Sequence, residues 1–118
     1  MGTRDDGAPI LSAMAGEPEV RERLEAFVLG LGERVDQLQD LESQRDWKGL
    51  EGDVRRLGEE SLALGFEPLR EAAEAVQHAS VLAQGRHPSR ADAAVREALL
   101  SLTDVARRVR LGHRGAMP

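Results

Sequence analysis

Residues Asp46 to Leu69 read DWKGLEGDVRRLGEESLALGFEPL. Leu50, Val54, Leu57, Ser61 and Leu64 follow one another at intervals of 4, 3, 4 and 3, the spacing that lines up one face of an α-helix. Glu51, Arg55, Gly58, Glu59 and Leu62 fall on the opposite flank, again at helical spacing. Asp46 is placed to act as N-cap, because its carboxylate can accept a hydrogen bond from a free N–H of the first turn. Gly65 can take the left-handed conformation that ends a helix without a Cβ clash, which lets Phe66 fold back onto a core. The stretch therefore predicts a helix, a tight Gly-Phe turn and the start of a further helix.

Working outward, Met1 to Ala8 is polar and Gly-containing, a flexible N-terminus. Pro9–Ala15 (PILSAMA) is expected to form a short helix laying Ile10, Leu11 and Met14 over one end of the fold. A long helix should begin at Pro18, a residue suited to the first helical position. Val20, Leu24, Phe27, Val28, Leu31, Val35, Leu38 and Leu41 give it a continuous apolar stripe. Gly30 and Gly32 fall within it, each costing ~1 kcal/mol relative to Ala, and predict a bend near residue 31. Ser43 to Asp46 makes the turn into the helix quoted above. The next helix starts around Pro68 and points Leu69, Ala72, Ala73, Val76 and Ala79 inward. Gln84 to Pro88 is a polar loop, and Ser89 with Asp92 forms a variant capping box for the last helix. That helix carries Ala91, Val95, Ala98, Leu99, Leu102, Val105, Ala106 and Val109 on one side. Arg107, Arg108 and Arg110 are expected in its last turn, where cations suit the negative helix end. Gly112 should close it and leave 112–118 as a tail. The sum is an all-α, antiparallel up-down four-helix bundle over residues 9–111, with a short N-terminal helix.

Composition sets the outer limits. The chain has 118 residues, 41% hydrophobic and 31% charged, ordinary for one folded domain with a modest core. Aromatics are only 3%, and Ala, Leu, Glu and Arg dominate, which favours helices over a sheet. A net charge of −5 disfavours non-specific binding to phosphate backbones. There is no cysteine, hence no disulfide framework and no thiol nucleophile. No apolar run approaches the length needed to span a membrane. Ile10–Ala15 ends in an Ala-x-Ala pattern, but it is short and follows Asp5-Asp6, so no secretory leader is expected and cytoplasmic residence fits.

The 46–69 stretch also resembles the phosphorylation-site helix of histidine-containing phosphotransfer (HPt) domains, whose pattern is roughly His-x-Leu-Lys-Gly-Ser/Ala-Ala, three residues, then Gly-Phe. Laid over it without a gap, Leu57, Ser61, Gly65 and Phe66 match or are conservative. The layout of FVLGLGERVDQLQDLESQRDWKGL and GFEPLREAAEAVQHA extends the resemblance to about residues 10 to 110. Arg55 stands where the family has its phosphoacceptor histidine, Gly58 where it has a lysine and Glu59 where it has a glycine. The resemblance implies a degenerate, pseudo-HPt member of a two-component phosphorelay. Such a protein would bind a response-regulator receiver domain or a histidine kinase without carrying phosphate.

The residues agree that no catalysis is expected. Arg stays protonated and cannot accept and pass on a phosphoryl group as a neutral imidazole does. Gly58 supplies no ammonium, and Glu59 and Glu60 would repel a phosphoryl dianion. His78, His87 and His113 read as surface, boundary or tail residues, and their spacing suggests no metal site. Ser61 and Ser80 have no evident base. No cofactor is called for.

The candidate partner-binding face is thus Glu51, Arg55, Gly58, Glu59 and Leu62. Arg55 could meet the acidic pocket of a receiver. Alternatively, Arg55 and Arg56 simply pair with Glu51, Glu59 or Glu60 along the helix. Leu62 could extend the face, though coverage by the first helix is the favoured reading. Trp47 is expected to close one end of the core. The Arg107–Arg114 cluster reads as helix-end complementarity rather than a nucleic-acid surface. A monomer is expected. The competing function is a structural or oligomerising helical bundle without a phosphorelay partner, and a phosphotransferase using His78 or His87 comes last.

Overall fold

A 3-10 turn at Pro18–Val20 leads into α1, Arg21–Ser43. Three more helices follow: α2, Trp47–Ala63, α3, Glu67–Ala83, and α4, Pro88–Ala116. The computed structural model describes residues 8–85 and 88–116, with side chains except at 88–90 and 114–116. The loose segment expected before Ala8, His87 and the last two residues of the tail lie outside the described residues, as does the Ser89 side chain expected to cap the last helix. No strand occurs among the described residues, and no helix there is long and apolar enough to cross a membrane.

The helices form a ring in which α1 packs on α2, α2 on α3, α3 on α4 and α4 back on α1. The core is built from the stripes the sequence marks. Leu31 of α1, Leu50, Val54 and Leu57 of α2, Leu69 and Val76 of α3, and Val95, Leu102 and Val109 of α4 are fully enclosed. Each such side chain contributes about 1.5–3 kcal/mol of burial free energy. Trp47 is half-buried against this core, as expected. Gly30 and Gly32 do not interrupt α1, which runs through both.

Lateral order is fixed by pairs between helices. Arg34 meets Glu60 at 2.7 Å, Glu51 accepts a hydrogen bond from Gln84 at 3.1 Å, and Gln39 donates to Thr103 at 3.3 Å. Arg45 pairs with Asp92 at 3.1 Å and Glu42 with Arg96 at 3.6 Å.

The α1–α2 and α2–α3 turns share one hydrogen-bond pattern. Asp46 N–H reaches back to the Leu41 carbonyl at 2.9 Å and Arg45 N–H to Glu42 at 3.0 Å. In the second turn Phe66 N–H reaches Ser61 at 2.8 Å and Gly65 N–H reaches Leu62 at 3.2 Å. Both are Schellman turns with a left-handed residue just past the helix, Arg45 at φ 58° and Gly65 at φ 82°. Phe66, returned to the core, stacks on Phe27 with ring centroids 5.8 Å apart.

Two expectations fail at the ends of the chain. Pro9–Ala15 is not a helix but an irregular strap with a turn at Ala13–Gly16, lying across one end of the bundle. Ile10 N–H donates to the Arg108 carbonyl at 2.9 Å, and the Arg108 guanidinium donates to the Ala8 carbonyl at 2.8 Å. The Ser12 hydroxyl donates to Leu64, and Ala13 N–H donates to Gly65 at 2.8 Å. Ser12 also accepts from Met14 N–H at 2.9 Å, a local bond that competes with helix formation. Only Ile10 of the three expected apolar contacts is buried; Met14 is half-buried and Leu11 is exposed.

Gly112, in turn, does not end the last helix, which continues to Ala116. It is buried, and a Cβ there would drive into the Ile10 carbonyl. Its role is to let the strap's backbone approach α4. Arg107, Arg108 and Arg110 consequently sit inside the helix rather than in its last turn.

Candidate functional site

α2 is oriented from within. Asp46 caps it as expected, accepting from Gly49 N–H at 3.0 Å. With Leu50, Val54, Leu57, Ser61 and Leu64 all buried, the helix cannot rotate without losing its core, and the residues between them are forced toward the surface. Arg55, Glu59 and Leu62 form an exposed ridge along α2. Leu62 is 58% exposed, so α1 does not cover it, contrary to expectation. Leu11, Leu29, Val81, Leu82 and Leu100 are exposed in the same way, as scattered surface apolar residues commonly are.

The other two candidate residues do different work. Glu51 is half-buried and held by Gln84 of α3. Gly58 is buried, and a Cβ there would sit 3.4 Å from the Ala73 Cβ. It sets the close approach of α2 and α3 and forms the floor of a surface groove. Arg55, Gly58 and Leu62 on one side and Arg70, Glu74 and Gln77 on the other line this groove, which has a volume of about 200 Å³. The α3 half was not among the candidates. Its signal in the sequence is the Glu67, Arg70, Glu74 spacing of 3 and 4, a ladder of helix-surface pairs.

Charges around the ridge are mostly committed. Arg56 pairs with Asp53, and Glu60 with Arg34 across to α1. Arg70 is clasped between Glu67 and Glu74. Hydrogen bonding from Arg70 holds the Glu67 carboxyl below its usual range, against a smaller opposing effect of burial, and the same two carboxylates raise Arg70 further above its ordinary value. Among the described residues Arg55 makes no ion pair, and neither does Glu59 one turn on. The pairing of Arg55 or Arg56 with Glu51, Glu59 or Glu60 is therefore absent there. A solvated guanidinium can engage carboxylate or phosphoryl oxygens through two parallel hydrogen bonds.

The remaining candidates are occupied or remote. Ser61 is fully buried and donates to the Leu57 carbonyl at 2.7 Å; Ser80, equally buried, donates to Val76 at 2.8 Å. Both hydroxyls thus satisfy themselves one turn back along their own helices. His78 is exposed on α3, and His113 is half-buried beneath the strap. Arg107 pairs with Asp104 at 2.9 Å, while Arg108 anchors the strap. No protein-family model, curated protein or solved structure matches the chain at a significant level.

Proposed function

We propose that the chain is an HPt-like, antiparallel up-down bundle that acts in two-component phosphorelay signalling as a cytoplasmic binding module, without carrying phosphate itself. It docks the receiver domain of a response regulator, or a histidine-kinase module, through the α2 ridge of Arg55, Glu59 and Leu62, with Gly58 below and Glu51 beside it. The antiparallel arrangement is supported by the order of the inter-helix pairs: Arg34 with Glu60, Glu51 with Gln84, Gln39 with Thr103 and Glu42 with Arg96. Along α1 and α4 the later α1 residue Glu42 meets the earlier α4 residue Arg96 while Gln39 meets Thr103, and Glu51 near the start of α2 meets Gln84 at the end of α3.

The observation that carries the reading is Arg55. It occupies the motif position of the missing phosphoacceptor and is exposed at the N-terminal end of the ridge, unpaired among the described residues. A receiver presents a cluster of carboxylates around its phosphorylated aspartate, and a guanidinium is complementary to that cluster with or without the phosphoryl group. Leu62, two turns further on, supplies the apolar contact that a docked surface would bury. Since a guanidinium offers no neutral nucleophilic nitrogen, the module occupies the surface without relaying the phosphoryl group. It acts by competition with an active carrier, not as an enzyme.

Titration against a panel of receiver domains, with and without a phosphoryl mimic on the aspartate, tests the proposal. Saturable binding with a Kd on the order of 1–100 µM and no acid-labile phosphate on the chain are the expected results. Absence of binding to any receiver or kinase module by a folded chain would leave a structural or oligomerising bundle as the better account.

A further inference from the structure

We propose that the strap over residues 8–16 is a pH-sensitive closure: it seals one end of the bundle while His113 is neutral and lifts when that imidazole is charged. The observation that carries this is a ring nitrogen without a partner. His113 lies on α4 beneath the strap, and its Nε2 is buried with no hydrogen bond. The ring faces a cavity of about 70 Å³. The strap contributes Ile10 and Ser12 to its lining, α1 Leu24 and Val28, the α2–α3 turn Phe66, and α4 itself Val109.

A neutral imidazole can carry its one proton on Nδ1 and leave Nε2 as a bare acceptor among apolar side chains. Protonation puts an N–H on both nitrogens and a positive charge on the ring. Such a charge is costly to keep buried unless a partner meets it, and no element around it supplies one. The strap has no ionisable side chain over 8–16. The Ser12 hydroxyl already donates to the Leu64 carbonyl and accepts from Met14 N–H. Glu17, Arg21 and Glu25, before and along the first turns of α1, are exposed and do not line the cavity. Glu67, beside Phe66, is held by Arg70. On α4, Arg108 is itself a cation, bound to the Ala8 carbonyl. Among the described residues no carboxylate pairs with His113.

The strap is the element able to yield. It is held by a few hydrogen bonds, from Ile10 N–H to Arg108, Ala13 N–H to Gly65 and Ser12 to Leu64, and Ile10 is its one buried side chain. Segments with so few buried contacts are the ones that open locally. α4 cannot swing His113 outward instead, because Leu102, Ala106 and Val109 fix it in the core. Lifting the strap admits water to the charged ring. The open form therefore binds the proton more readily than the closed one, and linkage requires that falling pH favour opening. This device is independent of the receiver-docking reading.

Amide hydrogen exchange on the full chain tests it, with protection expressed against the unstructured rate at the same pH. Histidine changes charge between about pH 7.5 and about pH 5. Over that span protection of the Ile10 and Ala13 amides should fall at least tenfold, while the Val54 amide inside α2 stays within about twofold. His113→Phe and His113→Gln remove the titrating group and leave His78 and His87 in place. With folding checked by circular dichroism, both strap amides should keep their protection across the same span in these variants. Constant protection in the wild type would overturn the proposal, because the charged ring would then be accommodated under a closed strap. An equal fall in a folded variant would overturn it too, by placing the acid-sensitive group elsewhere.

Discussion

The α1–α2 and α2–α3 turns have the same backbone hydrogen-bond pattern, yet one carries an arginine and the other a glycine at the left-handed position. An L-residue in that conformation costs roughly 1–2 kcal/mol. At Arg45 the side chain points into solvent and recovers part of the cost by pairing with Asp92 at 3.1 Å. At Gly65 the turn lies under the strap, and a Cβ would sit 2.9 Å from both the Met14 nitrogen and the Ser12 hydroxyl. The difference teaches that backbone dihedrals alone do not select glycine here. The chain packed over the turn does.

The contrast can be broken most severely at Gly65. Gly65→Ala adds the left-handed penalty to displacement of the strap and the loss of its bonds to Leu64 and Gly65. The expected destabilisation in urea unfolding is about 2–4 kcal/mol, with the Ala13 amide losing protection from hydrogen exchange. Gly112→Ala tests the strap without touching a turn. Its Cβ enters the Ile10 carbonyl, so a loss of about 1–2 kcal/mol is expected despite the better helix propensity of alanine. Arg45→Gly inverts the experiment: relief at the turn and loss of the pair with Asp92 nearly offset each other. Stability should change by less than about 1 kcal/mol.

The smallest effect concerns Glu67, in the first turn of α3 just beyond Gly65. Arg70 holds its carboxyl below the ordinary 4.5. A group with a lowered folded-state value adds stability that is present above 4.5 and lost as pH falls through the lowered value. Its NMR titration should therefore have a midpoint under 4.5, and Arg70→Gln should return that midpoint toward it.

The same comparison explains what the sequence made legible. Asp46, the 50-54-57-61-64 stripe and the Gly65-Phe66 turn are local patterns, each decided within a few residues, and the structure has all of them. The strap escapes local patterns because its partners lie 52 to 100 positions away, as in Ser12 to Leu64 and Arg108 to Ala8, where no periodicity reaches. Gly112 has the look of a helix end because glycine usually marks one, whereas here it makes room for Ile10. Arg45 broke the same rule in the other direction. In the candidate site, helical spacing put five residues on one flank, but whether a neighbour covers them depends on tilt between helices. Gly58 proved to be covered by α3, while Leu62 proved to be open.

The central claim is that Arg55 anchors a docked receiver, and charge reversal tests it most directly. Wild type and Arg55→Glu are titrated against the best-binding receiver of the panel, with helicity and unfolding midpoint checked for both. The account predicts unchanged folding, because Arg55 is exposed, and at least a tenfold loss of affinity, about 1.4 kcal/mol. Equal affinity of the two proteins, or no receiver that binds the folded wild type, would contradict it.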